Sequence, residues 1–152
     1  MKLLLSIKPE FALRIFAGEK TFEFRKAVHQ QPGISVAAVY ASKPIGMIIG
    51  EFEIVDILSA TPEALWEETR HGAGISREFF FEYFSDRRVA YALKVGAVRR
   101  FEVPIEPRRL IDDFTPPQSY MYLNDQLGRV SRADTDPEPR LPLFDWGARL
   151  TA

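Results

Sequence analysis

Lys8, Lys20, Arg25 and Lys26 put four cations near strand ends and a turn, and the acid Glu23 is set between Phe22 and Phe24. A lysine directly after a glycine turn, as Lys20 is after Gly18, stands where a strand begins. There it can point its ammonium at a phosphate or a carbonyl. Glu23 and Arg25 are two residues apart, so in an extended strand they share a face. At the mouth of a sheet they would read a base edge or hold Lys20; facing water they would form an ion pair of little worth. Tyr40 and Ser42 end the next apolar run. An aromatic ring beside cations is what base stacking uses, although a tyrosine there also serves a plain core. Gln118-Ser119-Tyr120 follows Pro116-Pro117 and is polar between Phe114 and Tyr122. It reads as a second set of ligand contacts or as a turn that satisfies its own backbone.

Several chemistries are absent from this list. There is no Gly-x-Gly-x-x-Gly motif and no phosphate-binding P-loop. The chain has no cysteine and two histidines, His29 and His71. Disulfides, thiol nucleophiles and cysteine-zinc sites are therefore excluded, and a histidine-rich metal site with them. Glu67 and Glu68 beside His71 read as a solvated helix end rather than as metal ligands. No metal or cofactor is expected. The formal net charge is -1, so a nucleic-acid site would have to be a local basic patch. The apolar start at Leu3 to Leu5 is broken by Ser6, Lys8, Pro9 and Glu10, too early for a secretory signal. No stretch approaches the roughly 20 apolar residues of a membrane span. A cytoplasmic location with no membrane partner is the expectation.

Positioning these groups requires the following elements. Leu3 to Ile7 is a short buried strand, and Pro9 opens a helix that Gly18 ends. Thr21 to Arg25 alternates as a half-buried strand. A further strand covers 34–41, and a long β-rich run covers 45–57, with Gly46 and Gly50 marking bends. Thr61-Pro62-Glu63 starts one helix and Ser76 caps another, with Gly72-Ala73-Gly74 breaking the chain between them. Val89 to Val95 is expected as a strand ended by Gly96, with Val98 to Val103 as its hairpin partner. Residues 118–123 are expected as a short helical turn. From Asp125 the chain is polar and reads as an arm, residues 125–152, closed by an apolar anchor at Leu141 to Trp146. The expected fold class is α+β: a small mixed β-barrel of five to six strands decorated by short helices, in residues 1–124.

The segments Ser6-Ile-Lys-Pro9, Gly18-Glu-Lys-Thr-Phe-Glu-Phe-Arg-Lys26, Tyr40-Ala-Ser42, Gly50-Glu-Phe52, Tyr91-Ala-Leu-Lys94 and Pro116-Pro-Gln-Ser-Tyr120 resemble those of the ASCH domain family, part of the PUA-like superfamily of small barrels linked to RNA. The Gly-x-Lys-Thr-x-x-x-Arg element from Gly18 to Arg25 is the specific part. The resemblance implies a cleft beside the barrel that binds RNA or modified nucleosides. Some small members are amidohydrolases that remove the acetyl group from 4-acetylcytidine with a Lys, a Thr and a Glu. Lys20 matches that lysine, and Glu23 stands where the threonine nucleophile is expected. Another member is a metal-independent ribonuclease, which a set such as Lys20, Tyr40 and Ser119 would suit.

The expected function is therefore binding of RNA or a modified nucleoside, with DNA as an alternative nucleic acid. Lys8, Lys20, Arg25 and Lys26 would meet phosphate, Tyr40 or Tyr120 would stack a base, and Glu23 or Gln118 would read its edge. The alternative is a hydrolase, an amidohydrolase or ribonuclease, with Lys20 and Glu23 as catalytic residues. A homodimer through the C-terminal arm is the expected protein contact.

Overall fold

The computed structural model describes residues 1–124. Residues 125–152, with the expected arm, anchor and dimer contact, lie outside the described residues. Strand β1 (Lys2–Ile7) leads through helix α1 (Pro9–Phe16) to β2 (Phe22–Arg25), β3 (Val36–Ala41) and β4 (Met47–Ala60). Helices α2 (Pro62–Thr69) and α3 (Arg77–Tyr83) follow, then β5 (Ala90–Ile105) and β6 (Tyr120–Leu123). The strands form one mixed sheet in the order β2-β5-β4-β3-β1-β6. β1 and β3 run parallel, because α1, β2 and the segment after it carry the chain back to the same end. Each of the other neighbouring pairs is antiparallel.

The long strands bend where the glycine signal placed the bend. The pairing of β3 with β4 shifts register between Val39 and Tyr40, and that of β4 with β5 between Ile48 and Gly50. Gly50 is required by close approach: a Cβ there would lie 2.5 Å from the Arg99 carbonyl oxygen and 2.7 Å from the Phe16 ring. Two further shifts, at Phe52/Ile54 and Ile54/Asp56, increase the coiling of the sheet. The sheet curls like a barrel without closing by backbone hydrogen bonds.

Alternation along the strands builds three apolar clusters. Leu3, Leu5, Ile7, Val39, Ile49, Phe52 and Leu93 meet Ala12, Leu13 and Ile15 of α1 on one face. Leu4, Ala38, Tyr40, Ile48 and Leu123 pack on the other face, with Phe101, Ile105 and Phe114 against them. The third cluster holds the helical insertion to the sheet. There Phe80 and Phe84, four residues apart on one helical face, pack with Phe22, Phe24, Leu65, Ala90 and Ala92. The caps are those expected from sequence: Thr61 Oγ1 accepts from Ala64 N at 3.3 Å, and Ser76 Oγ from Phe79 N at 3.1 Å.

Two expectations need correction. Gly96 does not end a strand; β5 runs unbroken from Ala90 to Ile105. Its long partner β4 supplies hydrogen bonds past the glycine, and a register shift takes up the irregularity. Residues 120–123 are not a helical turn. They pair with Lys2–Leu5 as strand β6, because the free edge of β1 offers backbone groups that a four-residue helix could not match.

Candidate functional site

α1 ends in a tight reversal that delivers Lys20 to the edge of the sheet. Gly18 adopts φ +79°, and the N–H groups of Glu19 and Lys20 both donate to the Arg14 carbonyl. Lys20 is only 2% exposed. Its Nζ donates to the Ala73 carbonyl at 2.7 Å and lies 4.6 Å from the centre of the Phe24 ring and 5.7 Å from that of Phe11. Burial pushes its pKa down to about 8, against the attraction of Glu23 and with the help of the Arg14 charge.

The segment covering Lys20 is Gly72-Ala73-Gly74. Three consecutive carbonyls of this strap are each engaged: Gly72 by the Thr21 N–H at 2.9 Å, Ala73 by Lys20, and Gly74 by the Arg14 guanidinium at 2.8 Å. The glycines permit this contact. A Cβ on Gly72 would lie 1.9 Å from Thr21 Oγ1, and one on Gly74 would lie 2.5 Å from Lys20 Cβ.

Glu23 and Arg25 face away from the helical insertion, since Phe22 and Phe24 take that side of β2. Glu23 is 6% exposed and Arg25 8%. Glu23 Oε1 lies 3.7 Å from the guanidinium, while Glu23 Oε2 is buried without a hydrogen-bond partner. Arg25 donates to the Ser6 carbonyl at 3.4 Å and to the Ser119 carbonyl. Ser6 belongs to β1, and Ser119 directly precedes β6. Arg25 thus reaches from one edge strand to the far end of the same sheet and holds the curl shut. Tyr83 adjoins this cluster, its hydroxyl pushed up by burial, with the Arg25 charge opposing and that of Glu23 adding. Lys26 Nζ lies 4.8 Å from the centre of its ring.

The structure therefore joins Lys20, Glu23, Arg25 and the backbone of Ser119, with Lys26 alongside through Tyr83. Lys8 is exposed, its Nζ 5.1 Å from the centre of the Phe79 ring on α3. Tyr40 lies apart on the opposite face of the sheet, edge-on to Phe114 at 5.1 Å. Burial raises its hydroxyl pKa, with Glu106 adding and Arg108 opposing. That hydroxyl stands beside Gly46: a Cβ there would meet it at 3.7 Å and the stem of Lys43 at 3.9 Å. Ser42 makes a turn, its N–H donating to Ile7 O at 2.9 Å and its carbonyl accepting from Ile45 N. Gln118 is exposed. Tyr120 packs with the α1-side cluster and lies edge-on to His29 and Tyr122. Tyr40 and Tyr120 are thus on opposite faces and cannot sandwich one base.

The sequence reading missed Arg14, Phe11, Tyr83 and the strap. The strap has a sequence signal, two glycines spaced by one residue between helices, which a plain chain break shares. No group of three or more His, Cys, Asp or Glu among the described residues is placed to hold a metal, and no described helix is long and apolar enough to cross a membrane.

The ASCH domain profile matches residues 5–102, which hold the end of β1, the Lys20 turn, the strap and most of β5. The chain belongs to the ASCH domain family. An ASCH domain-containing ribonuclease from Zymomonas mobilis is 30% identical over 127 residues, covering 79% of this chain and 82% of that protein. The crystal structure of an ASCH protein from Zymomonas mobilis superposes with a TM-score of 0.78 at 27% identity, covering 84% of this chain and 91% of that one. It has also been solved as a Tyr-to-Phe and as a Ser-to-Ala variant. The N-terminal domain of McrB from Staphylothermus marinus shares the fold alone, with a TM-score of 0.55 at 12% identity over 88% of this chain and 93% of that one.

Proposed function

We propose that this ASCH chain acts on RNA by holding a nucleotide at the junction of Lys20, Glu23 and Arg25. The observation that carries the reading is a buried lysine of lowered pKa beside a buried carboxylate that is only half satisfied. Such strained polar groups collect where ligands bind. Lys8 and Lys26, each over an aromatic ring of α3, extend the site outward as contacts for phosphate. The relative named a ribonuclease supports RNA over DNA and over a free modified nucleoside. The test is fluorescence anisotropy with a single-stranded RNA across a salt series. Affinity should fall with a slope of roughly -0.7 per phosphate contact, and Lys8→Ala and Lys26→Ala should each remove about one contact. Affinity indifferent to salt and to both substitutions overturns the reading.

A second reading, ribonuclease activity, is favoured by that same relative. Its Tyr-to-Phe and Ser-to-Ala variants direct attention to Tyr40 and Ser119 here. In this reading Tyr40, with its hydroxyl beside Gly46, works on the face opposite Lys20. RNA cleavage in the presence of a chelator, lost in Tyr40→Phe and kept in Lys20→Ala, would establish it. Release of acetate from 4-acetylcytidine, lost in Lys20→Ala and Glu23→Ala, would instead establish the amidohydrolase alternative.

A further inference from the structure

The three apolar clusters of the sheet are covered unequally. Helix α1 packs onto the first, and α2 and α3 onto that of the helical insertion. Among the described residues, enclosed members outnumber partly exposed ones in both, fifteen to six and eight to six. On the face opposite α1 the order reverses. There Phe101, Ile105, Leu110, Ile111, Phe114 and Met121 stay partly exposed around five enclosed residues. The described cover of this face is the segment between β5 and β6, whose one helical turn is Pro107–Arg109. A continuous apolar surface of this kind is a place where something else packs.

The chain itself supplies an occupant. Leu123, an enclosed member of this cluster, ends β6 at the edge of the sheet, so residues 125–152 depart from the border of the open face. Their sequence holds single apolar residues at Leu127 and Val130, then Leu141-Pro-Leu-Phe-Asp-Trp146, where four large apolar side chains fall within six positions. The face crosses from β6 to β5 by way of β1, β3 and β4, about 19 Å at roughly 4.8 Å per strand. Residues 125–140 can reach roughly 50 Å when extended, so the tether spans every point of it. A short linker that spans its two sites holds them at millimolar effective concentration, so a contact too weak to join two separate molecules suffices within one chain. Pro137, Pro139 and Pro142 restrict the backbone and lower the ordering cost of docking. A second copy is the rival occupant, and it lacks the advantage of the tether. We propose that residues 141–146 dock onto the sheet face of their own chain opposite α1, across Phe101, Ile105, Phe114 and Met121, and complete its cover. Docking there requires neither of the functional readings above.

The chain has no cysteine, so Arg149→Cys accepts a single nitroxide label just past the segment. Broadening of amide NMR signals in the full chain then maps where the label sits. Strong broadening is expected at Phe101, Phe114 and Met121, with little at Leu13 on α1 or at Phe80 in the insertion cluster. Adding Phe144→Ser and Trp146→Ser should abolish the pattern. Both of these residues lie outside the described residues, and unchanged signal positions for Leu13 and Phe80 will show that the fold persists in the variant. A second sample mixes the nitroxide-bearing chain with an isotope-labelled chain that carries no nitroxide, and no broadening is expected there. Three results each overturn the proposal: no broadening on this face, broadening that survives both serines, or broadening of the nitroxide-free chain in the mixture. The last would assign the face to a second copy.

Discussion

The two faces of the curled sheet handle buried polar groups differently. On the side of α1 and the strap, full charges are enclosed: Lys20, Glu23 and Arg25 are each under a tenth exposed, and one carboxylate oxygen is left over. On the opposite face the enclosed polar group is a phenol, Tyr40, whose ring joins Phe114, Leu4 and Ile48 while its hydroxyl reaches Gly46 at the rim. The second arrangement is what a core tyrosine ordinarily does. The first costs folding free energy unless every charge is met by a partner. The fold therefore tolerates strain on the α1 side and not on the other.

The largest effect belongs to Arg25. Arg25→Met leaves Glu23 buried without its counter-charge and frees the Ser6 and Ser119 carbonyls. It should lower stability by about 3–5 kcal/mol in urea unfolding. A loss below 1 kcal/mol would mean that the curl is held by packing alone. Next is the strap. Gly74→Ala forces a Cβ against Lys20 at φ +63° and should cost roughly 2–3 kcal/mol. Gly33→Ala, at φ +82° with nothing within 4 Å, should cost only about 1 kcal/mol. Equal costs would show that backbone conformation, not contact with Lys20, sets the penalty.

Lys20 gives a smaller effect whose sign depends on pH. Its folded-state pKa of about 8 lies below the ordinary 10.5. Between those values the unfolded chain binds the extra proton, so stability rises with pH across that window. Below about pH 8 the buried ammonium is a standing cost, of order 3 kcal/mol net of its charged neighbours. Lys20→Met removes that cost and orphans the Ala73 carbonyl, for a net gain of roughly 1–2 kcal/mol at neutral pH. The gain should cross zero as pH rises from 8 and become a loss of about 1–2 kcal/mol by pH 10.5, where the orphaned carbonyl alone remains. Melting curves of the two proteins that stay parallel across this range would refute the account. Least of all, Tyr40→Phe should change stability by under about 1 kcal/mol, because losing a neutral hydroxyl leaves no buried charge without its partner. A larger loss would place the two faces on the same footing.

The parts of this molecule written in local pattern were legible. The capped starts of α2 and α3, the alternation of β2 and the bend at Gly50 each depend on residues within a few positions. β6 was not legible. Four residues acquire strand character from an edge more than a hundred positions upstream, and nothing in Tyr120-Met-Tyr-Leu123 announces that partner. Lys20 was singled out correctly as unusual, but its burial was not, since the covering strap lies some fifty residues away. That Tyr40 lies on the face opposite Lys20 was not legible for a related reason: a strand's alternation fixes which residues share a face but not which face meets the helices. Arg25 was read as a ligand contact, and the structure also gives it two backbone carbonyls, those of Ser6 and Ser119.

The position of β1 bears on synthesis. It lies inside the sheet, paired on one side with β3 and on the other with β6. A ribosome-bound chain can complete the first pairing once residue 41 has emerged, but the second waits for residues 120–123. Throughout that interval Lys2 to Leu5, apolar apart from the lysine, presents an open strand edge to whatever is nearby. Chains that stop before Tyr120 keep that edge permanently, and they should self-associate in light scattering where the full chain does not.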